Sequence, residues 1–324
     1  MNLMSLADDL SGPEGNVAVA VDPETVQVVV GCDDGYARHL AVMLLSLFAH
    51  STARLVQVHV LVPAEFASRA SLDHALGKHA GRLIYHVLAD GSVRNLKQRP
   101  DLTATTYYRL LIGDALPPEV ERVIYLDCDL VLRYDLAQLW ETSLGNAIVG
   151  AVLDCSFAQN HILGLPHDAP YFNAGVLLID LAHWRREVIG EAAVNFAAAY
   201  PERLSYNDQC ALNWVLRGRW ALLDPTWNVQ TQQFGRFVDG TLEYLRPLPA
   251  IAATARIVHF NEPGRPWLYM DNHPFRSDYL SYKARTPWRD ERPADYYPHN
   301  MVIKLLRTHA PILLPVYLWL RRYV

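Results

Sequence analysis

Asp127 and Asp129 stand one residue apart in Val123-Ile-Tyr-Leu-Asp127-Cys-Asp129-Leu-Val-Leu132, a run that is otherwise apolar. An ionised carboxylate taken out of water without a counter-charge is so costly that it finds a partner or gives up its charge. Side chains two apart on a strand face the same way, so the pair has the form of half a divalent-cation site at the carboxyl end of a strand, where open α/β sheets gather their ligands. Oxygen ligands suit Mg²⁺ or Mn²⁺, and an added imidazole tilts the choice toward Mn²⁺. His259, in the apolar segment Arg256-Ile-Val-His259-Phe, is the candidate third ligand, although a histidine at a strand end also serves purely structural ends.

The elements that must deliver these side chains follow from hydrophobic spacing. Residues 26–32 form a β-branched run that ends in Asp33-Asp34-Gly35, after which Leu40, Met43, Leu44 and Leu47 recur at helical intervals; this is strand, turn and helix, with Asp34 the expected helix cap. Val56, Val58, Val60 and Val62 alternate before Pro63, and residues 83–88 give a third strand. The spacing predicts a helix over 103–112 and then a strand over 120–126 that carries the two aspartates. Further strands are expected at 147–153, 175–181, 220–223 and 256–260, and helices at about 184–200 and 207–217. Such alternation predicts an α/β fold, a single domain around a mostly parallel, doubly wound sheet.

The 324 residues are 51% hydrophobic, enough for a sizeable core, and the net charge of −5 lacks the basic footprint of a nucleic-acid binder. Any anionic ligand must be held locally. Cys32, Cys128, Cys155 and Cys210 are scattered without a CxxC, which fits a reduced, cytoplasmic compartment. Asp8, Asp9, Glu14 and Asp22 occupy the stretch where a secretory leader would be basic and then apolar, so no leader is expected. No run reaches the roughly 18 apolar residues of a spanning helix.

Two chemistries begin with a DxD after an apolar strand. In phosphotransferases of haloacid-dehalogenase type the pattern D-x-D-x-[TV]-[LV] is matched by Asp127–Cys–Asp129–Leu–Val131–Leu132, but their phosphorylated aspartate lies on the first strand and here at least three strands precede it. In nucleotide-sugar transfer the ion neutralises charge on a departing nucleoside diphosphate. A catalytically silent sugar-nucleotide-binding protein would lack a metal ligand or the cation on the diphosphate, and both are represented. A nicotinamide-dinucleotide enzyme is disfavoured because the first turn, Gly31-Cys-Asp-Asp-Gly35, has no GxGxxG.

Six separated blocks carry a closer likeness: Val-Val-Gly31-Cys-Asp33-Asp34-Gly-Tyr36, Thr105-Thr106-Tyr-Tyr-Arg109-Leu, Tyr125-Leu-Asp127-Cys-Asp129, Tyr171-Phe-Asn173-Ala-Gly175-Val-Leu-Leu-Ile, Asn207-Asp208-Gln209 with Leu212-Asn213, and His259-Phe-Asn-Glu-Pro-Gly-Arg265-Pro-Trp267. In this order, over residues 26–269, the chain resembles the retaining glycosyltransferases of family 8, which include glycogenin and bacterial lipopolysaccharide galactosyl- and glucosyltransferases. The resemblance implies a GT-A-like domain and a UDP-sugar donor. It assigns Gly31 and Asp33 to the uracil, Tyr36 to stacking on it, and Arg109 to the ribose and diphosphate. Asp127, Asp129 and His259 become the ligands of Mn²⁺ or Mg²⁺, Arg265 reaches the diphosphate, and Asn173, Gly175, Asp208 and Gln209 line the transferred sugar. Asp154 matches a position near sugar and acceptor. Departures are Gly35 in place of a frequent asparagine, Arg265 in place of a frequent lysine, and Cys210 where relatives often repeat an acidic residue, which bears on sugar or acceptor preference.

The resulting expectation is an N-terminal extension (1–23), a transferase domain (24–282) and a C-terminal linker and tail (283–324). The enzyme would move galactose or glucose from a UDP-hexose to a saccharide or lipid-linked saccharide, in lipopolysaccharide or other cell-surface glycan synthesis. From Tyr296 onward there is no acidic residue, while Lys304, Arg307, Arg321 and Arg322 flank the apolar aromatic stretch 312–320. That composition suits an anionic membrane surface, hence a peripheral location on the inner face of the cytoplasmic membrane; a helix packed on the core is the alternative. Pro311 and Pro315 are expected to break a continuous helix.

Overall fold

A computed structural model describes residues 22, 24–89, 91, 93–97, 103–156, 160–238, 241–245, 247–261 and 264–320. Asp8, Asp9, Glu14, Arg321 and Arg322 lie outside the described residues. In chain order the strands are β1 (Val26–Gly31), β2 (Val56–Pro63), β3 (Leu83–Leu88), β4 (Arg122–Leu126), β5 (Leu130–Leu132), β6 (Val149–Leu153), β7 (Phe172–Asp180), β8 (Trp220–Leu222), β9 (Val229–Gln230), β10 (Gly235–Val238), β11 (Thr241–Tyr244) and β12 (Ile257–His259). Seven of them form the central sheet in the order β3-β2-β1-β4-β7-β6-β8. All neighbours are parallel except β7, which runs against both β4 and β6.

That one reversal positions the site. Because β7 enters where β4 leaves, the beginning of β7, with Asn173, Ala174 and Gly175, meets the carboxyl ends of β1 and β4. The Asp127 N–H donates to the Gly175 carbonyl at 2.9 Å, one step beyond the Leu126–Val176 pairing.

Helices cover both faces. Val28 and Val30 of β1 pack with Leu40, Met43 and Leu44 of α1 (Ala37–His50), while Val29 faces the other layer, with Tyr107, Tyr108 and Leu212. Each of the fully buried α1 side chains Leu40 and Leu44 contributes about 2 kcal/mol of apolar burial. The periodicity at 40, 43, 44 and 47 marks this helix because a single stripe must face the sheet.

Several expectations need correction. The apolar run 123–132 is two strands, since β4 stays in the central sheet and β5 joins a three-stranded sheet, β5-β12-β9. Asp127 and Asp129 therefore occupy the crossing between sheets and share no strand face. The Phe260 N–H, donating to the Asp129 carbonyl at 2.9 Å, ties the far side of the crossing to the end of β12. The helix expected over 103–112 is a 3₁₀ segment, Ala104–Leu111, continued by one α turn, Ile112–Ala115. The helix at 184–200 is two, Leu181–Arg186 and Ile189–Ala199. Val188 between them has φ 47°, a left-handed conformation that ends the first helix and is unusual for a β-branched residue. Asp34 does not cap α1. Its carboxylate accepts the N–H groups of Ala67 and Ser68, at 3.1 and 2.8 Å, just ahead of α2 (Arg69–Leu76).

Outside the central sheet, the helix Arg276–Lys283 packs on α1 with Tyr279 buried, and Asp295 accepts the N–H groups of Tyr269 and Met270. The helix Pro298–His309 buries Ile303 and sets the Lys304 ammonium over the Tyr269 ring. A 3₁₀ turn, Pro311–Leu313, precedes the helix Leu314–Leu320. Pro311 thus stands at a break, whereas Pro315 sits in a first helical turn, where its missing N–H costs nothing.

Candidate active site

The carboxyl ends of β1 and β4, the start of β7 and the end of β12 surround a cleft of about 320 Å³, within the range of small-ligand sites. Of the residues expected from sequence, Gly31, Tyr36, Arg109, Asp127, Asp129, Asp154, Asn173, Asp208, Gln209, His259 and Arg265 line it. Asp33 and Gly175 are not among the lining residues but adjoin them, Asp33 at Thr103 and Gly175 at Asn173.

Asp127, Asp129 and His259 converge, each offering one ligand atom, all within 4.8 Å of one another. His259, 3% exposed, holds Nε2 3.4 Å from Asp129 Oδ1 and 3.7 Å from Asp127 Oδ2. Burial alone would lower the imidazolium pKa, but the charge and hydrogen bond of Asp129, with Asp127 behind it, carry the net shift upward. In turn, burial works to raise the Asp129 pKa and His259 overrides it, so the net direction is down. Gly175 leaves room for this packing: a Cβ there would lie 2.3 Å from His259 Cε1 and 2.9 Å from Asp127 Oδ2. Gly175 thus backs the triad. A hard carboxylate pair, one imidazole and a second hydrogen bond on the far ring nitrogen, from Nδ1 to Asn228 Oδ1 at 2.9 Å, together fit Mn²⁺ or Mg²⁺.

Arg109 is 7% exposed and is committed to the protein. It donates to Asp127 Oδ1 at 2.8 Å, to the Ala174 carbonyl at 2.6 Å and to the Thr106 carbonyl at 3.3 Å, and it lies over the Tyr125 ring at 4.5 Å. Nε also approaches Asp208 Oδ2 to 2.8 Å as an ion pair, although that oxygen accepts no hydrogen bond. Burial pushes the Asp208 pKa up to about 6, against the pull of Arg109 and a 2.5 Å hydrogen bond from Thr106. Asp127 Oδ1 takes a further hydrogen bond from Tyr125 at 3.0 Å.

On the opposite wall, Asp154 Oδ2 accepts from Asn173 Nδ2 and Gln209 Nε2, both at 3.1 Å, and Oδ1 accepts from the Ser156 N–H and hydroxyl. Gln209 Oε1 receives the Ala174 N–H at 2.9 Å. Asp208 and Gln209 begin the helix Asn207–Val215, whose N-terminus favours the acidic residue. Cys210 is buried away from the cleft, its sulfur 3.2 Å from the Tyr171 hydroxyl.

At the third wall, Asp33 accepts the Tyr36 N–H at 3.0 Å and the Thr103 hydroxyl at 2.5 Å. Gly31 lets the 3₁₀ segment close over β1: a Cβ would meet the Thr105 carbonyl at 3.2 Å. Tyr36 stands edge-on to His39, ring centroids 5.3 Å apart, and His39 packs 4.0 Å from Trp267. The Arg265 N–H donates to Asp271 at 3.2 Å. Sequence reasoning missed Asn228, His39 and Thr106 as supports of the site. A polar residue inside an apolar pattern is the available signal for His39; the Asn228 amide and the Thr106 hydroxyl reach His259 and Asp208 through contacts distant in sequence.

The model of "Glycosyl transferase family 8" matches residues 27–271. General stress protein A of Bacillus subtilis is 29% identical over 272 residues, covering 82% of this chain and 95% of that protein. Lipopolysaccharide 1,3-galactosyltransferase of Salmonella typhimurium is 23% identical, over 84% of this chain and 82% of its own length. The solved galactosyltransferase LgtC, in complex with donor and acceptor sugar analogs, superposes with a TM-score of 0.70 at 25% identity, over 82% of this chain and 99% of its own. With the match running through most of the chain and through every wall of the cleft, the protein belongs to glycosyl transferase family 8 and carries its transferase domain on a GT-A-like α/β fold.

Proposed function

We propose that the protein transfers a hexose, galactose or glucose, from a UDP-sugar to a saccharide acceptor with retention at the anomeric carbon. The observation that carries the reading is the convergence of Asp127, Asp129 and His259 on one side of a cleft whose other side is a hydrogen-bonded set of Asp154, Asn173 and Gln209. A divalent ion bound there supplies positive charge to the diphosphate as it leaves. Arg265 adds a cation from the loop after β12, Tyr36 offers its ring to the uracil, and Gly31 and Asp33 with Thr103 form the base-binding corner. Asp154, Asn173, Asp208 and Gln209 fit hydroxyl recognition, Gly175 keeps the ion site open, and Arg109 organises Asp127 and Asp208 from behind. Among the described residues that line the cleft, each carboxylate already has one of these tasks, which favours departure and attack on one face over a covalent nucleophile. The phosphatase alternative is weakened because Asp127 Oδ1 is already held by Arg109 and Tyr125.

The same reading divides the chain into the transferase domain at 24–282 and a tail at 283–324, the tail resting on the inner face of the cytoplasmic membrane near a lipid-linked acceptor, as in cell-surface glycan synthesis. Support comes from the exposed Leu305, Ile312, Val316 and Trp319 beside Lys304 and Arg307. No helix among the described residues is long and apolar enough to cross a membrane.

The test is UDP release from a panel of UDP-sugars, with Mn²⁺ and with chelator, for wild type, Asp129→Asn and His259→Ala. Metal-dependent release from one hexose donor, lost in both variants, is expected. Release indifferent to metal and to both substitutions would sink the proposal.

A further inference from the structure

We propose that Asn228 is a positioning residue that fixes the tautomer of His259 and, through the same amide, the orientation of Asn173, so that one side chain assembles the ion site and the sugar site together. The proposal rests on the reading of Asp127, Asp129 and His259 as the ion site of a sugar-nucleotide transferase. Asn228 is 0% exposed and ends the 3₁₀ turn Pro225–Asn228, directly ahead of β9. The register Val258–Val229 and His259–Gln230 between parallel β12 and β9 holds its backbone beside the histidine.

The two ends of the Asn228 amide have different chemistry. Oδ1, 2.9 Å from His259 Nδ1, can only accept, so Nδ1 carries a proton and the Nε2 lone pair is left for a cation between the carboxylates. If Asn228 were flipped, its NH₂ would meet Nδ1 and call for the opposite tautomer. The proton would then sit on Nε2, where a ligand lone pair is needed.

The orientation that serves His259 also sets the next link. Asn228 Nδ2 donates to Asn173 Oδ1 at 2.9 Å, and the same oxygen accepts the Gly175 N–H at 3.0 Å. With its oxygen held from two sides, Asn173 must turn Nδ2 to Asp154, which it meets at 3.1 Å. A buried amide in the wrong orientation would set donor against donor and leave each without the partner it gave up water to reach. The chain His259–Asn228–Asn173–Asp154 therefore has a single self-consistent arrangement of donors and acceptors.

Two substitutions in the full-length protein separate the two ends. Asn228→Ala removes both hydrogen bonds; Asn228→Asp keeps an acceptor for Nδ1–H and removes the donor to Asn173. Mn²⁺ binding without nucleotide, read from the free-ion signal in electron paramagnetic resonance, is expected to weaken about 10–100-fold in Asn228→Ala, the usual loss for a residue that orients a ligand. In Asn228→Asp it should stay within about threefold of wild type. With Mn²⁺ saturating, Asn228→Asp should bind UDP as wild type does but lose about three- to tenfold of the additional affinity conferred by the hexose of UDP-galactose or UDP-glucose.

The idea is overturned if Asn228→Ala, with a wild-type melting temperature, binds Mn²⁺ normally, or if Asn228→Asp weakens the ion as much as alanine does. Should alanine prevent folding, the split in Asn228→Asp decides alone. Asp129→Asn is measured alongside. If it loses Mn²⁺ while Asn228→Ala does not, only the role of Asn228 fails; if Asp129→Asn also binds normally, the ion site and the proposal fall together.

Discussion

Two residues at the site show how little freedom it has. Gly175 is set by steric necessity: a methyl group there would lie 2.3 Å from one buried ring carbon of His259 and 2.8 Å from Nδ1, closer than atoms can stand. The His259 ring is buried and tied to Asn228, so Gly175→Ala should displace it. The expected result is a melting temperature lowered by a strain of about 1–3 kcal/mol, together with weakened Mn²⁺ binding by equilibrium dialysis. An unchanged melting curve and ion affinity would show that the ring can move. Asp208 is set by electrostatics. In the folded chain burial raises its pKa to about 6, against about 3.9 in an unfolded chain. The folded state therefore binds more protons between these values, and stability falls as pH rises from about 4 to about 6. A carboxamide in its place would carry no such proton, so Asp208→Asn should flatten the pH dependence across that window in chelator. At pH 7 the variant should be more stable than wild type by on the order of 2 kcal/mol, while hexose transfer is lost. Urea unfolding between pH 4 and 8 measures the first effect, and UDP release the second.

At the scale of elements, the turn after β1 serves two helices, and the sequence could point to only one of them. Asp34 stands where α1 needs a cap, yet its carboxylate spans to the N–H groups of Ala67 and Ser68 ahead of α2, while Asp33 holds the Tyr36 N–H at the start of α1. Burial alone would raise the Asp34 pKa, but the hydrogen bonds from Ser68 and Ala67 lower it overall, so its support of α2 persists down to acid pH. Asp34→Ala should cost about 1 kcal/mol at pH 7, with the loss shrinking once wild-type Asp34 is protonated below its folded pKa; denaturation at pH 7 and at pH 2.5 checks both. Here local pattern stops being informative. β1, β2, β3 and α1 were legible because alternation or helical spacing reports which face is buried. The break of 123–132 into β4 and β5 was not, since an apolar run looks alike whether it continues in one sheet or crosses to another. The left-handed Val188 that divides a helix has no signature either. In the candidate site, the carboxylate pair was visible as charge in an apolar run, whereas Asn228 acts on His259 across 31 positions of sequence, and nothing local marks it.

For the molecule as a whole, the open question of placement turns on the C-terminal helices. The first of them is docked: Ile303 is buried, Lys304 donates to the Tyr269 carbonyl, and Asp295 ties the preceding turn to the Tyr269 and Met270 N–H groups. Its other side, with Met301, Val302 and Leu305, and the following segment, with Ile312, Leu313, Val316 and Trp319, face outward. A helix packed wholly on the core would bury such a stripe, whereas these side chains are exposed. The proposed membrane contact combines apolar insertion with basic charge, and near an anionic surface each Lys or Arg adds about 1 kcal/mol. Both contributions can be removed without touching the cleft. Leu305→Glu with Trp319→Glu replaces two exposed apolar groups by charges of the membrane's own sign. Sedimentation with phosphatidylglycerol-containing vesicles should then drop at least about tenfold, since the lost apolar and electrostatic terms together exceed about 1.4 kcal/mol. UDP release with a water-soluble acceptor should be unaffected. Wild-type binding should itself weaken as salt rises from about 0.05 to about 0.5 M, because the Debye length shrinks from roughly 14 to about 4 Å. Vesicle binding that survives both the double substitution and the salt would place the contact elsewhere on the molecule, and a matching loss of transfer to soluble acceptor would tie these helices to the fold of the cleft instead of to a membrane.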